Sequence, residues 1–319
     1  MLSLHTNNAA LSAQNSISKT QSNLSTSMTR LSTGYRINSA MDDAAGLQIA
    51  SRLKAQTSGM TVAMRNTQNS TSMLQTAEGA LDEVSNMLIR MKDLATQAAD
   101  ASSNAEDKTA MQAEFDALGK ELANVMKNTT FGGKNLLEGT AAVAESGTVG
   151  DPDYVAAVPA KAGTLASEMT FQIGASASET MKINLTTDMN ALSNALKAAT
   201  SNYDTPATAG TELVGTPGDT DADPVTPTAN ATITLLETAL DKVGTVRSGL
   251  GAAANRLEHV NNNLANISTN TKTATGQIMD VDFASESANM TSNQMLLQAS
   301  TAMLKQSNSQ SSLVMSLLQ

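Results

Sequence analysis

Residues 290–319 read MTSNQMLLQASTAMLKQSNSQSSLVMSLLQ, and this stretch decides the fold. Its large apolar residues recur at intervals of seven, with Ser311 as the interruption: Met290, Leu297, Leu304 and Leu318. An interval of seven places side chains on one stripe of a helix that pairs with other helices. The stretch has a single charge and no Pro or Gly. Because so thin a stripe does not stabilise an isolated helix, the sequence predicts a helix packed against partners along its whole length.

The other end of the chain has the same character. Residues 2–33 are rich in Ser, Thr, Asn and Gln, and Ile17, Leu24 and Leu31 are again seven apart. Leu4 and Leu11 are also seven apart, in a register displaced by one residue from that of Ile17. We therefore expect the two terminal helices to pack together, and a chain that ends in two such helices is suited to joining copies of itself. The residues predicted to form the polymerisation interface are Leu4, Leu11, Ile17, Leu24, Leu31, Met290, Leu297, Leu304 and Leu318.

The composition favours thin, elongated helical packing over a broad globular core. Of 319 residues only 2% are aromatic, Trp is absent, and 18 are Met. A compact core of this size would use more large rings. Unbranched Met side chains suit irregular contacts between helices.

Charge and hydropathy exclude several classes of function. The formal net charge is −10 with no block of Lys and Arg, so nucleic acid is an unsuitable partner. The apolar runs are far shorter than the roughly 20 residues that a membrane span needs. Cys is absent, which excludes disulfides and thiolate chemistry. The first residues have neither a basic region nor an apolar core typical of secretory signals, so we expect any export to use another route.

The positions of proline divide the chain into three parts. All six prolines lie between residues 152 and 227, which leaves both flanks free to form long helices. Apolar residues seven apart predict one helix over 44–99, from Leu53 to Ala95, and another from Leu236 to Ile278. Ser103 and Glu106 predict a capping box that starts a helix over 104–128.

The middle of the chain predicts shorter elements. Met169–Ile173 and Thr180–Leu185 alternate in polarity and predict a hairpin. Residues 188–199 predict a short helix, whereas 139–165 and 201–228 are typical of loops. The predicted fold is mainly α, with long coiled-coil helical rods from both terminal segments and a small hairpin-containing variable insert. The predicted divisions are a core helix and joint at 1–43, rod helices at 44–138, the insert at 139–228, a second rod at 229–279 and a core helix at 280–319.

Several long motifs resemble those of one protein family. LSTGYRINSAMDDAAGLQIASRL at 31–53 resembles the N-terminal signature of bacterial flagellin. VRSGLGAAANRLEHVNNNLANI at 246–267 and QIMDVDFASESANM at 277–290 resemble its C-terminal signatures. TFGGKNLL at 130–137 and MTFQIGASASETMKINL at 169–185 are also similar to the family pattern. The motifs occur in the family's order, and the resemblance covers about 1–138, 169–185 and 229–319.

The resemblance implies a structural subunit of the helical flagellar filament used for bacterial motility. The termini would form the inner core of the filament and the long helices an outer coiled layer. It further implies export in an unfolded state by the flagellar type III apparatus, and an extracellular location in the filament. The implied partners are other copies of the chain, an export chaperone, the filament cap and the hook-associated junction proteins.

The resemblance also implies a host partner. IRMKDLATQ at 89–97 resembles the family's contact motif for the flagellin-sensing Toll-like receptor. Arg90, Leu94 and Glu114 match the contact positions, whereas Ile89 replaces a customary glutamine. By charge alone, a solvated helix face is the commoner explanation of such residues. The resemblance favours the receptor role.

Sequence features that could support other functions are weak. Asp42 and Asp43 could bind a metal, but acidic residues at the start of a helix more commonly cap it. Neither His5 nor His259 lies in a zinc protease motif, and no nucleophile or phosphate-binding motif occurs. We therefore predict no enzyme activity, no metal and no cofactor. The rival hypotheses are a hook–filament junction protein, an enzyme built on this scaffold, and a helical adhesin.

Overall fold

The computed structural model describes residues 7–138, 163–204, 210–214 and 229–317. The helices are α1 (Asn8–Thr33), α2 (Ala44–Ala99), α3 (Ala105–Asn128), α4 (Thr186–Ala199), α5 (Ala229–Met279) and α6 (Phe283–Leu317). The strands are β1 (Thr130–Phe131), β2 (Lys134–Asn135), β3 (Met169–Gln172) and β4 (Thr180–Ile183). The prediction of a mainly helical fold with small hairpins is confirmed. Helix α2 alone has 56 residues, about 84 Å at the rise of an α-helix.

The described residues belong to two compact units. The terminal unit falls within Met1–Ser58 and Asn266–Gln319, and the central unit falls within Gly59–Ala265. Each unit therefore combines segments from both halves of the chain.

In the terminal unit, α1 and α6 pack side by side in opposite directions. The side chain of Asn7 caps α1 by accepting a hydrogen bond from the Ala10 N–H at 3.1 Å. Asn7 also donates through Nδ2 to the backbone oxygen of Ser307 at 3.3 Å. At the other end of α1, Arg30 Nη1 lies 3.8 Å from Glu286 Oε2. Since the start of α1 meets the far end of α6, the pair is antiparallel.

The segments that follow α1 and precede α6 are joined through their backbones. Helix α1 ends at Gly34, which has a left-handed φ of 76° and donates to the Arg30 carbonyl at 2.9 Å. The Arg36 N–H donates to the Met279 carbonyl at 2.6 Å, and the Val281 N–H donates to the Gly34 carbonyl at 3.0 Å. We call residues 34–43 and 280–282 the paired joints.

The central unit has a core formed by helices α2, α3 and α5. Eight of the heptad positions predicted for the long helices are buried there: Leu74, Leu81, Leu88, Ala95, Leu236, Val243, Leu250 and Leu257. The outermost predicted positions, Leu53 and Ile278, belong to the terminal unit and are half-buried. Phe115 and Leu122 of α3 have no exposed surface and belong to the same core as the heptad residues of α2 and α5. The predicted helix over 104–128 is confirmed, but its capping box uses Asn104 and Asp107 instead of Ser103 and Glu106. The Ser103 hydroxyl instead donates to the Gln97 carbonyl at 2.8 Å.

The described part of the predicted insert packs into the same core. Strands β3 and β4 form an antiparallel hairpin in which Met169 pairs with Ile183, close to the predicted limits. Met181, Leu192 and Leu196 are buried in the core cluster that contains the α2 heptads. The short hairpin of β1 and β2 turns at Gly132 and Gly133, which both have positive φ. The predicted loops at 139–162, 205–209 and 215–228 lie outside the described residues.

Two anchors hold the chain on either side of residues 139–162. The Leu165 N–H donates to the Leu136 carbonyl at 2.9 Å. Tyr203 is fully buried and its hydroxyl donates to Glu138, and burial raises the pKa of this phenol well above its ordinary range. Lys127 Nζ donates to the Tyr203 carbonyl at 2.9 Å. Residues far apart in sequence are thereby fixed to the end of α3.

A buried polar network joins α3 to residues 210–214. Gln112 Nε2 donates to Asp116 Oδ1 at 2.7 Å and to Glu212 Oε2 at 2.8 Å. Gln112 Oε1 accepts from the Leu213 N–H at 2.7 Å. Asp116 also accepts from Asn202 Nδ2 at 2.9 Å, so each buried carboxylate has several N–H donors. These hydrogen bonds offset the free-energy cost of removing the two carboxylates from water.

Candidate functional site

The candidate site is the surface of the α1–α6 pair, where the sequence predicted the polymerisation interface. Six of the nine predicted residues lie half-buried in the seam between the two helices of one chain: Ile17, Leu24, Leu31, Met290, Leu297 and Leu304. Leu11 lies outside this seam and is 50% exposed. Leu4 and Leu318 fall outside the described residues. The seven-residue spacing therefore identifies first of all an intramolecular contact.

The seam is thin. Ser27 is the one buried residue among those described in α1, and Glu286 is the one in α6. All the large apolar side chains of the seam keep part of their surface in water. Since full burial of a large apolar side chain stabilises by about 1.5–3 kcal/mol, half-burial leaves much of this free energy unused.

Helix α6 has a second apolar face that α1 does not cover. At 100° per residue, the five exposed apolar residues of 295–303 fall within about a third of the helix circumference: Met295, Leu296, Ala299, Ala302 and Met303. We call these residues the free face of α6. Met295 is 60% exposed, Leu296 52% and Met303 68%. A helix with apolar residues on two faces requires more than one neighbour.

The paired joints are held by carboxylates that accept backbone hydrogen bonds. Asp42 Oδ2 accepts from the N–H groups of Ser39 at 2.9 Å and Asn38 at 3.0 Å, which lowers the pKa of its carboxyl. Asp282 accepts from the Ala284 N–H at 3.0 Å at the start of α6, and its pKa is lowered for the same reason. Asp43 accepts from the Gly46 N–H at 2.9 Å and caps α2. The predicted capping role of Asp43 is confirmed, and Asp42 holds the turn before it.

The predicted receptor contacts do not share one surface. Arg90 is exposed and donates to Glu114 Oε1 through Nε at 2.9 Å and through Nη2 at 2.6 Å. Leu94 is only 2% exposed and packs in the core of the central unit. The Leu94 side chain therefore offers little surface to a partner in this fold. Ile89, beside Arg90, is 48% exposed.

The remaining candidate chemistry is sparse. Among the described residues, no group of three or more His, Asp or Glu is arranged to hold a metal ion. His259 lines an open groove between β4 and α5 together with Lys182 and Arg256. His5 falls outside the described residues.

Comparison with known proteins gives the family. The family model of the bacterial flagellin N-terminal helical region matches residues 4–142, and that of the C-terminal helical region matches residues 233–318. Flagellin A of Vibrio anguillarum is 36% identical, and the alignment spans 100% of both chains. The chain belongs to the bacterial flagellin family. Flagellin C of Vibrio cholerae is 34% identical over 96% of both chains.

A solved structure of Bacillus cereus flagellin is also similar. It is 28% identical to this chain and covers 63% of it, with 88% of that flagellin aligned and a TM-score of 0.42.

Flagellins are structural proteins of the bacterial flagellar filament, which drives motility, and this chain is a filament subunit. The family confirms the prediction that it is not an enzyme. In the part of the chain that the structure describes, no helix combines the length and hydropathy needed to cross a membrane.

Sequence reasoning missed the free face of this flagellin. The leucines spaced by seven in 290–319 predicted one apolar stripe, and the structure places that stripe against α1. A signal was present in Leu296 and Met303, which are also seven apart and one residue before Leu297 and Leu304. Two parallel heptad stripes on one helix indicate two partners.

Proposed function

We propose that the chain polymerises by packing the free face of α6 against a second copy of itself. The observation that carries this proposal is that α6 presents Met295, Leu296 and Met303 on a side that α1 leaves open. Association removes that apolar surface from water, which contributes about 25 cal/mol per Å². If that face packs on a different surface of the next copy with a rotation that does not close a ring, the contact repeats into an open helical polymer.

The α1–α6 pair gains most of its stability on assembly. In the monomer its seam side chains are half-buried, and α1 has many Ser, Thr, Asn and Gln residues around them. In an isolated monomer, the stabilisation from so little apolar burial does not compensate for the conformational entropy lost when the two helices become ordered. We expect the terminal helices to be largely disordered before assembly and to become ordered as the filament buries both faces.

The same features suit passage through a narrow export channel. The chain has no Cys, so no disulfide has to be broken before the chain is threaded. We propose secretion in an unfolded state by the flagellar type III apparatus, and the family resemblance supports it. The partners on this route are an export chaperone for the C-terminal helix, the filament cap, and the hook-associated junction proteins at the filament base.

The test of the assembly proposal is seeded polymerisation of purified monomer followed by light scattering and electron microscopy. Leu296→Gln places a polar group on the free face and should slow elongation strongly. Gln298→Ala is the matched control, because Gln298 is exposed on α6 outside that face. If the Leu296→Gln protein elongated as fast as the control, the free face would not be the contact.

Removal of residues 290–319 is a second, broader test. The central unit has its own core, so the shortened chain should remain folded and soluble. Filament formation by this shortened chain would refute a polymerisation mechanism based on the terminal helices.

We propose recognition by the flagellin-sensing Toll-like receptor as a second function. The exposed pair of Arg90 and Glu114 supports it, because a guanidinium fork and a carboxylate at the surface offer directional hydrogen bonds to a partner. Arg90→Ala should weaken receptor binding, and Lys120→Ala on exposed α3 surface should not. Equal binding by both variants would remove Arg90 from the receptor contact.

A further inference from the structure

Methionine is the main target for mild oxidation in this chain. The sequence has 18 Met, no Cys and no Trp. Peroxides oxidise thiolates and thioethers, and a chain without Cys leaves only the thioethers for this chemistry. Exposure then decides which Met reacts.

The two units differ sharply in the exposure of their methionines. All four strongly exposed Met residues described are in the terminal unit: Met28 at 50%, Met41 at 96%, Met295 at 60% and Met303 at 68%. All the buried ones described are in the central unit: Met60, Met87, Met91, Met111, Met126, Met169, Met181 and Met189. An oxidant that meets the folded chain therefore reaches the thioethers of the terminal unit first.

Met295 and Met303 have an additional property, because they provide both ends of the free face. Leu296, Ala299 and Ala302 lie between them and have no side-chain hydrogen-bond donor, whereas Ser292 and Gln306 lie beyond the two Met on the same side of the helix. A sulfoxide at either Met would therefore place a strongly polar group against the apolar residues of this face. Burying an unpaired polar group disfavours association.

We propose that Met295 and Met303 are an oxidisable modification site that controls self-assembly, an inference that rests on the assembly proposed above. The co-reactant is a peroxide. A sulfur lone pair attacks one peroxide oxygen, the O–O bond breaks, and the released hydroxide takes a proton to form water. Sulfur loses two electrons and becomes a sulfoxide, while the peroxide is reduced. Methionine sulfoxide reductases reverse the change, so the modification can regulate assembly in both directions.

The experiment uses full-length monomer treated with dilute hydrogen peroxide. Peptide mass spectrometry should find one added oxygen on Met295 and Met303 while Met91 and Met126 stay unmodified. Seeded elongation should fall about tenfold for each sulfoxide, which corresponds to about 1.4 kcal/mol. Circular dichroism should show that the central unit keeps its helices. Treatment with both classes of sulfoxide reductase and a dithiol, which supplies the two electrons and becomes a disulfide while the oxygen leaves as water, should restore elongation.

Two matched variants locate the effect. Met295→Leu combined with Met303→Leu keeps the face apolar, so this protein should lose much less elongation after peroxide than the unsubstituted chain does. Met28→Leu combined with Met41→Leu removes the other two exposed thioethers, and this control should stay as sensitive as the unsubstituted chain. Loss of sensitivity in the control alone would overturn the assignment.

The outcomes separate this inference from the assembly proposal. If the untreated Leu296→Gln protein elongates normally, the free face is not the contact and the assembly proposal fails. If Leu296→Gln blocks elongation but fully oxidised Met295 and Met303 do not, the assembly proposal stands and the modification site is refuted. Equal oxidation of Met91 and Met303 in folded monomer would also refute it.

Discussion

Arg30 and Glu286 form an ion pair across the α1–α6 seam, with Arg30 Nη1 3.8 Å from Glu286 Oε2 and the Glu286 side chain only 10% exposed. Arg30 Nε is buried and has no hydrogen-bond partner. The pair thus ties the C-terminal end of α1 to the N-terminal end of α6, next to the paired joints. Glu286 also follows the expected preference for an acidic residue in the first turn of a helix.

Glu286→Gln should loosen α1 near its C-terminal end. The substitution keeps the shape but removes the charge that faces Arg30, at a cost of about 1 kcal/mol for a partly exposed pair. Amide hydrogen exchange in α1, measured in assembled filaments, reports the change locally. Lys19→Gln, at an exposed position of the same helix, is the control and should leave the exchange rates unchanged.

Gly34→Ala and Gly79→Ala should have opposite effects. Gly34 has a φ of 76°, which an alanine adopts only at a cost of about 1 kcal/mol. Gly79 lies inside α2 with no atom within 4 Å of an added Cβ, so alanine there should stabilise the helix by about 0.5–1 kcal/mol. Thermal unfolding followed by circular dichroism tests both signs. A stabilising Gly34→Ala would contradict the left-handed helix end.

Leu94→Ala should destabilise the central unit much more than Arg90→Ala. Leu94 is in the core, and truncation of a buried leucine costs about 2–5 kcal/mol. Arg90 and Glu114 are about half exposed, so loss of their ion pair should cost less than about 1 kcal/mol. Urea unfolding of both variants compares the two values. Similar small losses would mean that Leu94 is not packed as described.

Gln112→Leu should be strongly destabilising despite its similar size. It removes the amide that donates to both Asp116 and Glu212 and leaves the Leu213 N–H without an acceptor. One unpaired buried N–H, together with the loss of one donor from each carboxylate, costs about 1–3 kcal/mol. Gln75→Leu, on the exposed surface of α2, is the control and should be nearly neutral in urea unfolding.

The paired joints should loosen in acid through Asp42. The Ser39 and Asn38 N–H groups lower the pKa of Asp42 in the folded chain, so its contribution is present above the unfolded pKa of about 3.9. That contribution is lost as pH falls through the lower folded pKa, when protonation weakens both hydrogen bonds. The protection of the Ser39 amide, which is its exchange by NMR relative to the intrinsic rate at each pH, should fall in this window. In Asp42→Asn this pH-dependent fall should be absent.

The long helices were predictable from the sequence because their packing is periodic. Each turn of α2 and α5 repeats the same contact, so Leu74 and Leu81 identify the buried side without knowledge of its partner. Helix ends were predicted less well, because Ser103 and Asn104 are both good caps and only local geometry selects Asn104. The resemblance of 31–53 and 246–267 to flagellin was enough to give the family.

The rest depended on contacts between distant residues. Gln112 meets Glu212 across 100 positions of sequence, and no local pattern connects them. The receptor motif suggested that Leu94 lies at the surface, but its side chain faces the core. Adjacent positions of a helix face different sides, so a shift of one residue changes a surface position into a core position. The free face of α6 was hidden for a similar reason, because its stripe lies one residue from the stripe that packs on α1.

The hydrogen bond between Leu136 and Leu165 makes the central unit a natural host for grafted sequence. A guest peptide placed between Glu138 and Gly163 would leave and return at neighbouring points that the scaffold already fixes. Doubling the length of such a guest adds only about 0.6 kcal/mol of closure entropy. Each subunit of the filament could then display one copy of the guest, and the filament would become a regular array of epitopes or enzymes.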